Sequence, residues 1–183
     1  MVNRRWMIGF AAAVMLATAG CGAAAVHNGA ADDGAHGGHA GHSGSGEVPE
    51  GLQPAANPMF PVGGEAVIVA DHMPGMKGAA ATISGAYNTT AYAVSYTPTT
   101  GGERVEAHKW VVHEEIRNAR EQPYAPGDTV VLEAEHMEGM KGAEAVIDAA
   151  EWTTVYMVDF VPTTGGEPVK NHKWVTEAEL KKK

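Results

Sequence analysis

The 183-residue chain contains a single cysteine, Cys21, so no disulfide can form within it. Aromatic residues make up only 7% of the chain, and no apolar stretch is long enough for a stable membrane-spanning helix. Basic residues are also few, with 13 Lys and Arg against 22 Asp and Glu. This excess of negative charge argues against binding to nucleic acid or to an anionic surface, and it favours attraction of cations.

The sequence also lacks the short motifs that accompany common catalytic chemistry. We find no nucleophile motif, no phosphate-binding loop and no pair of carboxylates in an apolar setting. A thiolate nucleophile or thiolate metal site is excluded as well if Cys21 is acylated. We therefore predict that the protein is not an enzyme, and that any chemistry with soft metals uses Met and His.

The first 20 residues have the pattern of an export signal, with two arginines followed by an uncharged apolar run of about 11 residues. Ala19 and Gly20 directly precede Cys21, as in a lipobox, although Thr18 stands where leucine is commoner. We expect cleavage after residue 20 and a lipid on the Cys21 sulfur, which would anchor the protein at the extracytoplasmic face of the cell membrane. The alternative is an ordinary secretory signal. The mature chain would have 22 acidic and 11 basic residues, a formal charge of −11.

Residues 21–57 are rich in Gly, Ala and Ser and have no apolar period, which predicts a flexible tether. His36, His39 and His42 are spaced three residues apart within it. Neutral imidazoles suit Cu(II) or Zn, so these histidines are candidates for a weak, exchangeable metal site. The alternative is a solvated linker with incidental histidines.

The rest of the chain is an internal duplication. Residues 60–116 align with 124–180 at a constant offset of 64, without gaps and with about half of the positions identical. We assign repeat 1 to 58–117 and repeat 2 to 118–183. A unit of this size has a marginal core by itself, so we expect one monomer in which the two repeats pack together.

Apolar residues inside each repeat recur with a period of two, which predicts strands separated by Gly-rich turns. We predict an all-β fold of two tandem small SH3-like (KOW-like) barrels, each made of four or five short strands and ending in a short helical turn. At the end of repeat 2, Thr176 would cap this turn and Glu179 would reach back. The predicted inward-facing residues are Ile68, Ala70, Ala81, Ile83, Tyr92, Val94, Tyr96, Val130, Leu132, Ala134, Ala145, Ile147, Ala149, Tyr156, Val158 and Phe160.

One heptapeptide occurs in both repeats, as HMPGMKG at 72–78 and HMEGMKG at 136–142. Pro74 and Gly75 are the residues that a type II turn favours at its centre, and such a turn brings its first and fourth residues close together. Thioether and imidazole are suitable ligands for Cu(I). The alternative is that the methionines simply fill the core. The candidate ligands are His72, Met73, Met76, His136, Met137 and Met140.

His136 and Met137 can bind the same metal ion only if the strand before them has a suitable geometry. If the strand through Val130 continues to His136, the imidazole points inward and Met137 points outward, so the strand must end or bulge before them. His108 and His172, which begin the two HKWV segments, are possible further ligands, unless they are half-buried and bonded to backbone. His113 has no histidine counterpart in repeat 2 and is predicted to lie on the surface.

The aromatic residues support an alternative of another class. They could line a groove, and the protein would then be a non-catalytic SH3-like module that binds the cell wall or a protein partner. Most of them are equally well explained as core and rim residues. The residues concerned are Tyr87, Tyr92, Tyr96, Trp110, Trp152, Tyr156 and Trp174.

In the segments HMPGMKGA and HMEGMKGA, each followed further along by HKWV, the chain resembles the YdhK-like family of bacterial lipoproteins. The resemblance covers about residues 57–183. It implies a tandem pair of repeats behind a lipobox and a His-rich arm. Some members, such as the copper-binding lipoprotein CopL of staphylococci, are linked to copper resistance. The resemblance therefore implies a membrane-anchored protein that sequesters copper at the two heptapeptides, with a copper exporter as a possible partner.

Overall fold

The structure is a computed structural model that describes residues 44–183. The predicted signal peptide (1–20), Cys21 and the tether histidines His36, His39 and His42 lie outside these residues. None of the described segments forms a helix with the length and apolarity needed to cross a membrane. The strands are β1 (Gln53–Pro54), β2 (Glu65–Ile68), β3 (Ala80–Tyr96), β4 (Val105–Val112), β5 (Thr129–Val131), β6 (Glu144–Phe160), β7 (Val169–Thr176) and β8 (Leu180–Lys181).

Two long antiparallel strands form the centre of the fold. β3 and β6 have 17 residues each, and they pair from Ala81 opposite Phe160 to Tyr96 opposite Ala145. The sequence pattern predicted only short strands, and this prediction was wrong. The stretch between Ala149 and Tyr156 contains neither Gly nor Pro, so nothing in the backbone chemistry ends the strand there.

Pairing of β3 with β6 relates the two repeats by an approximate two-fold axis. A separate hydrophobic core lies at each end of this strand pair, and we call each core with its strands a lobe. The first half of each long strand belongs to one lobe and the second half to the other. The core of the first lobe therefore contains residues of both repeats: Phe60, Ala66, Ile68, Ala70, Met76, Ala79, Ala81, Ile83, Ala86, Tyr156, Val158, Phe160, Val169, Val175 and Leu180. The core of the second lobe contains Tyr92, Val94, Tyr96, Val111, Ile116, Val130, Leu132, Ala134, Met140, Ala143, Ala145 and Ile147.

The predicted all-β class with two repeats is confirmed, whereas separate barrels are not. In the described part of the chain the sheet runs β5-β6-β3-β2-β8, with β1 and β4 also on β3 and β7 on β6, and it does not close. The predicted helical turns are single 3₁₀ turns at His113–Glu115 and Glu177–Glu179. Glu179 reaches back as predicted, because its Oε2 accepts a hydrogen bond from the Thr176 backbone N–H at 3.0 Å.

Nearly all of the predicted inward-facing residues are buried. Val130, Leu132 and Ala134, for example, are at most 6% exposed. Ala149 is the exception, since it is exposed near the midpoint of β6, between the two lobes. Period-two patterning therefore identified the core positions correctly wherever the strand lies within a lobe.

Candidate functional site: a histidine- and methionine-lined cleft

Each heptapeptide forms the turn that its sequence predicts. The Met76 backbone N–H donates to the Met73 carbonyl at 3.2 Å, and Gly75 between them has φ +77°. The second copy repeats this geometry, with Met140 donating to Met137 at 3.2 Å. β5 ends at Val131, so the strand does not continue to His136. The condition for a shared site in repeat 2 is therefore met.

The turn of each repeat is held by the PTTGG turn of the other repeat. The Thr163 N–H donates to the Gly75 carbonyl at 2.8 Å, and a Cβ on Gly75 would lie 2.5 Å from Thr164 Oγ1. In the other lobe the Thr99 N–H donates to the Gly139 carbonyl at 2.9 Å. The positive φ and the close approach both require glycine, which explains why Gly occurs at this position in both copies.

The structure separates the two methionines of each heptapeptide. Met76 and Met140 are 0% exposed in the cores of the two lobes, whereas Met73 is half-buried and Met137 is 37% exposed. Met73 and Met137 line a cleft, and Met76 and Met140 do not. We therefore correct the expectation that both methionines of a turn face the metal, because the second one fills a core as an apolar side chain.

The cleft has a volume of about 1120 Å³ and lies where both heptapeptides begin. Four histidines line it, together with nine carboxyl side chains and three lysines, so its potential favours cations. The structure thus brings together six of the candidate ligands from both repeats: His72, Met73, His108, His136, Met137 and His172.

Irregular strand geometry directs two of these histidines. β4 and β7 pair with the long strands through His108 and His172, with register shifts on both sides of each. Ala107 and Asn171, directly before them, have φ of +47° and +49°, and their backbone N–H groups donate to side chains of the neighbouring strand. Such bulges re-aim the next side chain, which here lines the cleft.

Each heptapeptide histidine pairs with a glutamate of the other repeat, and of these glutamates Glu115 is buried and Glu179 is half-buried. His136 Nε2 lies 2.8 Å from Glu115 Oε1, and His72 Nε2 lies 2.7 Å from Glu179 Oε1. An ionised carboxylate can only accept, so Nε2 carries the hydrogen in both pairs. The Nδ1 atoms of His72 and His136 are buried without a hydrogen-bond partner. A neutral imidazole held in this way presents a lone pair at Nδ1, as metal-ligating histidines do.

Both glutamates are stabilised in their ionised form. Burial raises the pKa of Glu115, but this is outweighed by the charge that His136 carries when it is protonated and by the hydrogen bonds from His136, the indole N–H of Trp174 and the backbone N–H of Val112, so the pKa is lowered. The pKa of Glu179 is likewise lowered against the effect of burial, chiefly by His72. The carboxylates therefore remain charged and orient the rings.

The surroundings of the two sites differ. In the second site the ring centroids of His108 and His136 lie 6.1 Å apart. Tyr96 Oη donates a hydrogen bond to Met137 Sδ at 3.8 Å. In the first site Phe160 takes the position of Tyr96, with its ring 5.9 Å from that of His172. The second site comprises Tyr96, His108, Glu115, His136 and Met137, and the first comprises His72, Met73, Phe160, His172 and Glu179.

Other candidate residues lie elsewhere or have other partners. His113 is half-buried, and its Nδ1 lies 2.8 Å from Tyr92 Oη. Trp152 is 73% exposed, whereas most of the other aromatic residues are buried. Within residues 44–183, no three His, Cys, Asp or Glu side chains are grouped to hold a metal ion. Each candidate site instead combines imidazole with thioether.

The molecule is thus a two-repeat, all-β protein with an acidic cleft built from both repeats. Residues 62–113 and 126–177 match the family described as "Protein of unknown function (DUF1541)". The chain belongs to this YdhK/DUF1541 family. The protein of Bacillus subtilis (strain 168) described as "Uncharacterized protein YdhK" is 64% identical over 140 residues, which make up 76% of this chain and 68% of that one.

Solved structures of that relative have the same fold. The crystal structure of the DUF1541 family protein from Bacillus subtilis subsp. subtilis str. 168 has a TM-score of 0.75 at 64% identity and covers 78% of this chain and 97% of its own. The solution NMR structure of the ydhK C-terminal domain from the same species has a TM-score of 0.65 at 64% identity. It covers 68% of this chain and 94% of its own.

Glu115 and Tyr96 were not among the residues that the sequence predicted for a metal site, and Tyr96 was a candidate only for an aromatic groove. A signal for Glu115 was available, because Glu115 and Glu179 are identical in helical turns whose other residues differ between the repeats. For Tyr96 the position was predicted to be core, which it is. Its hydroxyl contact with Met137 depends on how the two repeats pack, and no local pattern reports this.

Proposed function

We propose that this protein is a lipid-anchored, extracytoplasmic copper-binding protein that sequesters Cu(I) in two cleft sites and thereby contributes to copper resistance. It acts by binding and not by catalysis. The observation that carries the proposal is the buried Nδ1 of His72 and of His136, each on a ring whose Nε2 is held by a glutamate. Such a glutamate is a typical outer partner of a metal-ligating histidine.

The choice of metal rests on the ligand types. Each site offers a thioether, Met73 or Met137, that lines the same cleft as the imidazoles, and thioether sulfur selects Cu(I) over hard cations. Thioethers also need no deprotonation and take no part in disulfide exchange outside the cytoplasm. His172 and His108 are the further ligands that line the same cleft.

The lipid on Cys21 would hold the cleft outside the membrane, and His36, His39 and His42 of the tether would capture Cu(II) or Zn weakly. A copper exporter that delivers metal to the cleft is the proposed partner. In this view each lobe is an SH3-like half-open barrel whose edge carries one metal site.

The test is anaerobic competition for Cu(I) between the full-length protein in mild detergent and a colorimetric chelator. The wild type is expected to withdraw copper from the chelator, and the double variant Met73→Leu, Met137→Leu is expected to lose this ability at unchanged fold. A matched control replaces His36, His39 and His42 by Gln, which leaves both thioethers in place. Equal copper uptake by the Met double variant and the wild type would refute the site assignment.

A further inference from the structure

The two cleft sites differ at one aromatic position related by the internal two-fold axis. Tyr96 occupies it in the second site and Phe160 in the first, at an offset of 64 residues. Both side chains are buried, at 0% and 3% exposure, and both rings contact a cleft histidine edge-on. The chemical difference between these positions is therefore a single hydroxyl group.

That hydroxyl is directed at a proposed copper ligand. Tyr96 Oη lies 3.8 Å from Met137 Sδ and donates a hydrogen bond to it. Phe160 has no group that can donate to Met73, which packs against the core cluster that contains Phe160. One proposed sulfur ligand thus carries a hydrogen bond from its aromatic neighbour, and its counterpart does not.

We propose that Tyr96 is a positioning residue that makes the second site the weaker Cu(I) site. The inference rests on the proposed function. A metal ion and a hydroxyl hydrogen both draw on the lone pairs of the same sulfur, so copper binding weakens the Tyr96–Met137 hydrogen bond. Because Tyr96 is buried, a hydroxyl that loses its acceptor is costly. Sulfur is a weak acceptor, so we expect a modest effect, about a two- to tenfold difference in affinity between the sites.

Copper then loads the first site preferentially, with partly overlapping occupancy of the second. The first site reaches half occupancy at lower external copper than the second, and the second site loses its copper more readily. The protein would thereby hold one tightly bound and one more readily exchanged ion, and the latter is the one available to a partner.

The experiment follows the methyl groups of methionine by NMR in full-length protein labelled at the methionine methyl carbon. Cu(I) is diamagnetic, so added Cu(I) reports the occupancy of both sites in one sample. Met73→Leu and Met137→Leu assign the two resonances, and the methyl groups of Met76 and Met140 serve as internal references. In the wild type the Met73 resonance is expected to respond at lower copper than that of Met137.

Two substitutions test the role of the hydroxyl. Tyr96→Phe should bring the Met137 response to the same copper level as Met73, and it should shift the Met137 methyl resonance already without copper. Phe160→Tyr should delay the Met73 response, and a thermal melt of each variant checks the fold. A wild-type difference that Tyr96→Phe leaves unchanged, or equal filling in the wild type, would overturn the inference. If neither resonance responds to Cu(I), the proposed function itself fails.

Discussion

His136 Nε2 and Glu115 Oε1 lie 2.8 Å apart, although the two residues belong to different repeats. The same contact at 2.7 Å joins His72 and Glu179 in the other lobe. Each heptapeptide histidine is thus oriented by a glutamate that is distant in sequence. Neither candidate site can form from one repeat alone.

The first prediction concerns the orienting carboxylate. Glu115→Gln should lower the Cu(I) affinity of the second site by about 10–100-fold, because the charged partner of His136 is lost. The first site should keep its affinity. The methionine methyl titration measures both sites in one sample.

Glu114→Gln is the matched control, because Glu114 also lines the cleft but accepts a hydrogen bond from Thr89. It should leave both affinities unchanged. If Glu115→Gln and Glu114→Gln behave alike, Glu115 does not orient the proposed ligand.

The second prediction separates the two methionines of a heptapeptide. Met76→Ala should destabilise the fold by about 2–5 kcal/mol, because Met76 is fully buried in the first lobe. Met76→Leu should cost less than about 1.5 kcal/mol and leave copper binding intact. Met73→Leu should do the reverse and remove copper from the first site at nearly unchanged stability. Urea unfolding and Cu(I) competition are measured on all three variants. Loss of copper binding in Met76→Leu, or a large loss of stability in Met73→Leu, would contradict the prediction.

A third prediction tests the contact between the turns of the two repeats. Gly78→Ala places an alanine at φ +83° in open space and should cost about 1–2 kcal/mol. Gly75→Ala adds a collision with Thr164 to a similar strain and should cost about 2–5 kcal/mol. The difference in the urea midpoint between the two variants isolates the contact. Equal losses would show that Thr164 does not constrain the turn.

The fourth prediction is a dependence of stability on alkaline pH. Burial, followed by the hydrogen bond to the Glu177 carboxylate, raises the pKa of Tyr156 from 10.0 to about 12. A pKa that is higher in the folded state contributes stability that is complete below the unfolded value of 10.0. This contribution is lost as pH rises through about 12.

Tyr156→Phe should therefore reduce the loss of stability in that range, because the ionising group is gone. Glu177→Gln should move the tyrosinate absorbance change to lower pH, because it removes the negative neighbour. Unfolding curves at a series of pH values and an ultraviolet titration measure the two effects. An unchanged titration in Glu177→Gln would contradict the assigned cause.

The last prediction concerns the independence of the repeats. A chain that ends at residue 117 contains only part of each core, so it should be unfolded as a monomer or form a dimer in which two copies of β3 pair. Gel filtration and circular dichroism distinguish these states from a folded monomer. A folded monomer would contradict the conclusion that each lobe needs strand segments from both repeats.

Local patterns were sufficient for several features of the fold and the site. Period-two patterning identified buried positions such as Leu132, because side chains on one face of a strand share one environment. The identity of Gly75 and Gly139 predicted the turns, because few other residues adopt a positive φ. The duplication predicted that any site occurs twice. These inferences use only neighbouring residues, and so they could be made without a structure.

The sequence by itself determined the all-β class, the two repeats, the heptapeptide turns and the set of His and Met residues from which a soft-metal site could be made. Only the tertiary structure decided that β3 and β6 pair along their full length. That pairing gives Met76 to a core and Met73 to the cleft, and it brings Glu115 to His136 and Tyr96 to Met137. The physical reason is that contacts between residues far apart in sequence depend on how half-buried strands combine, and the alternating pattern of each strand is compatible with more than one partner.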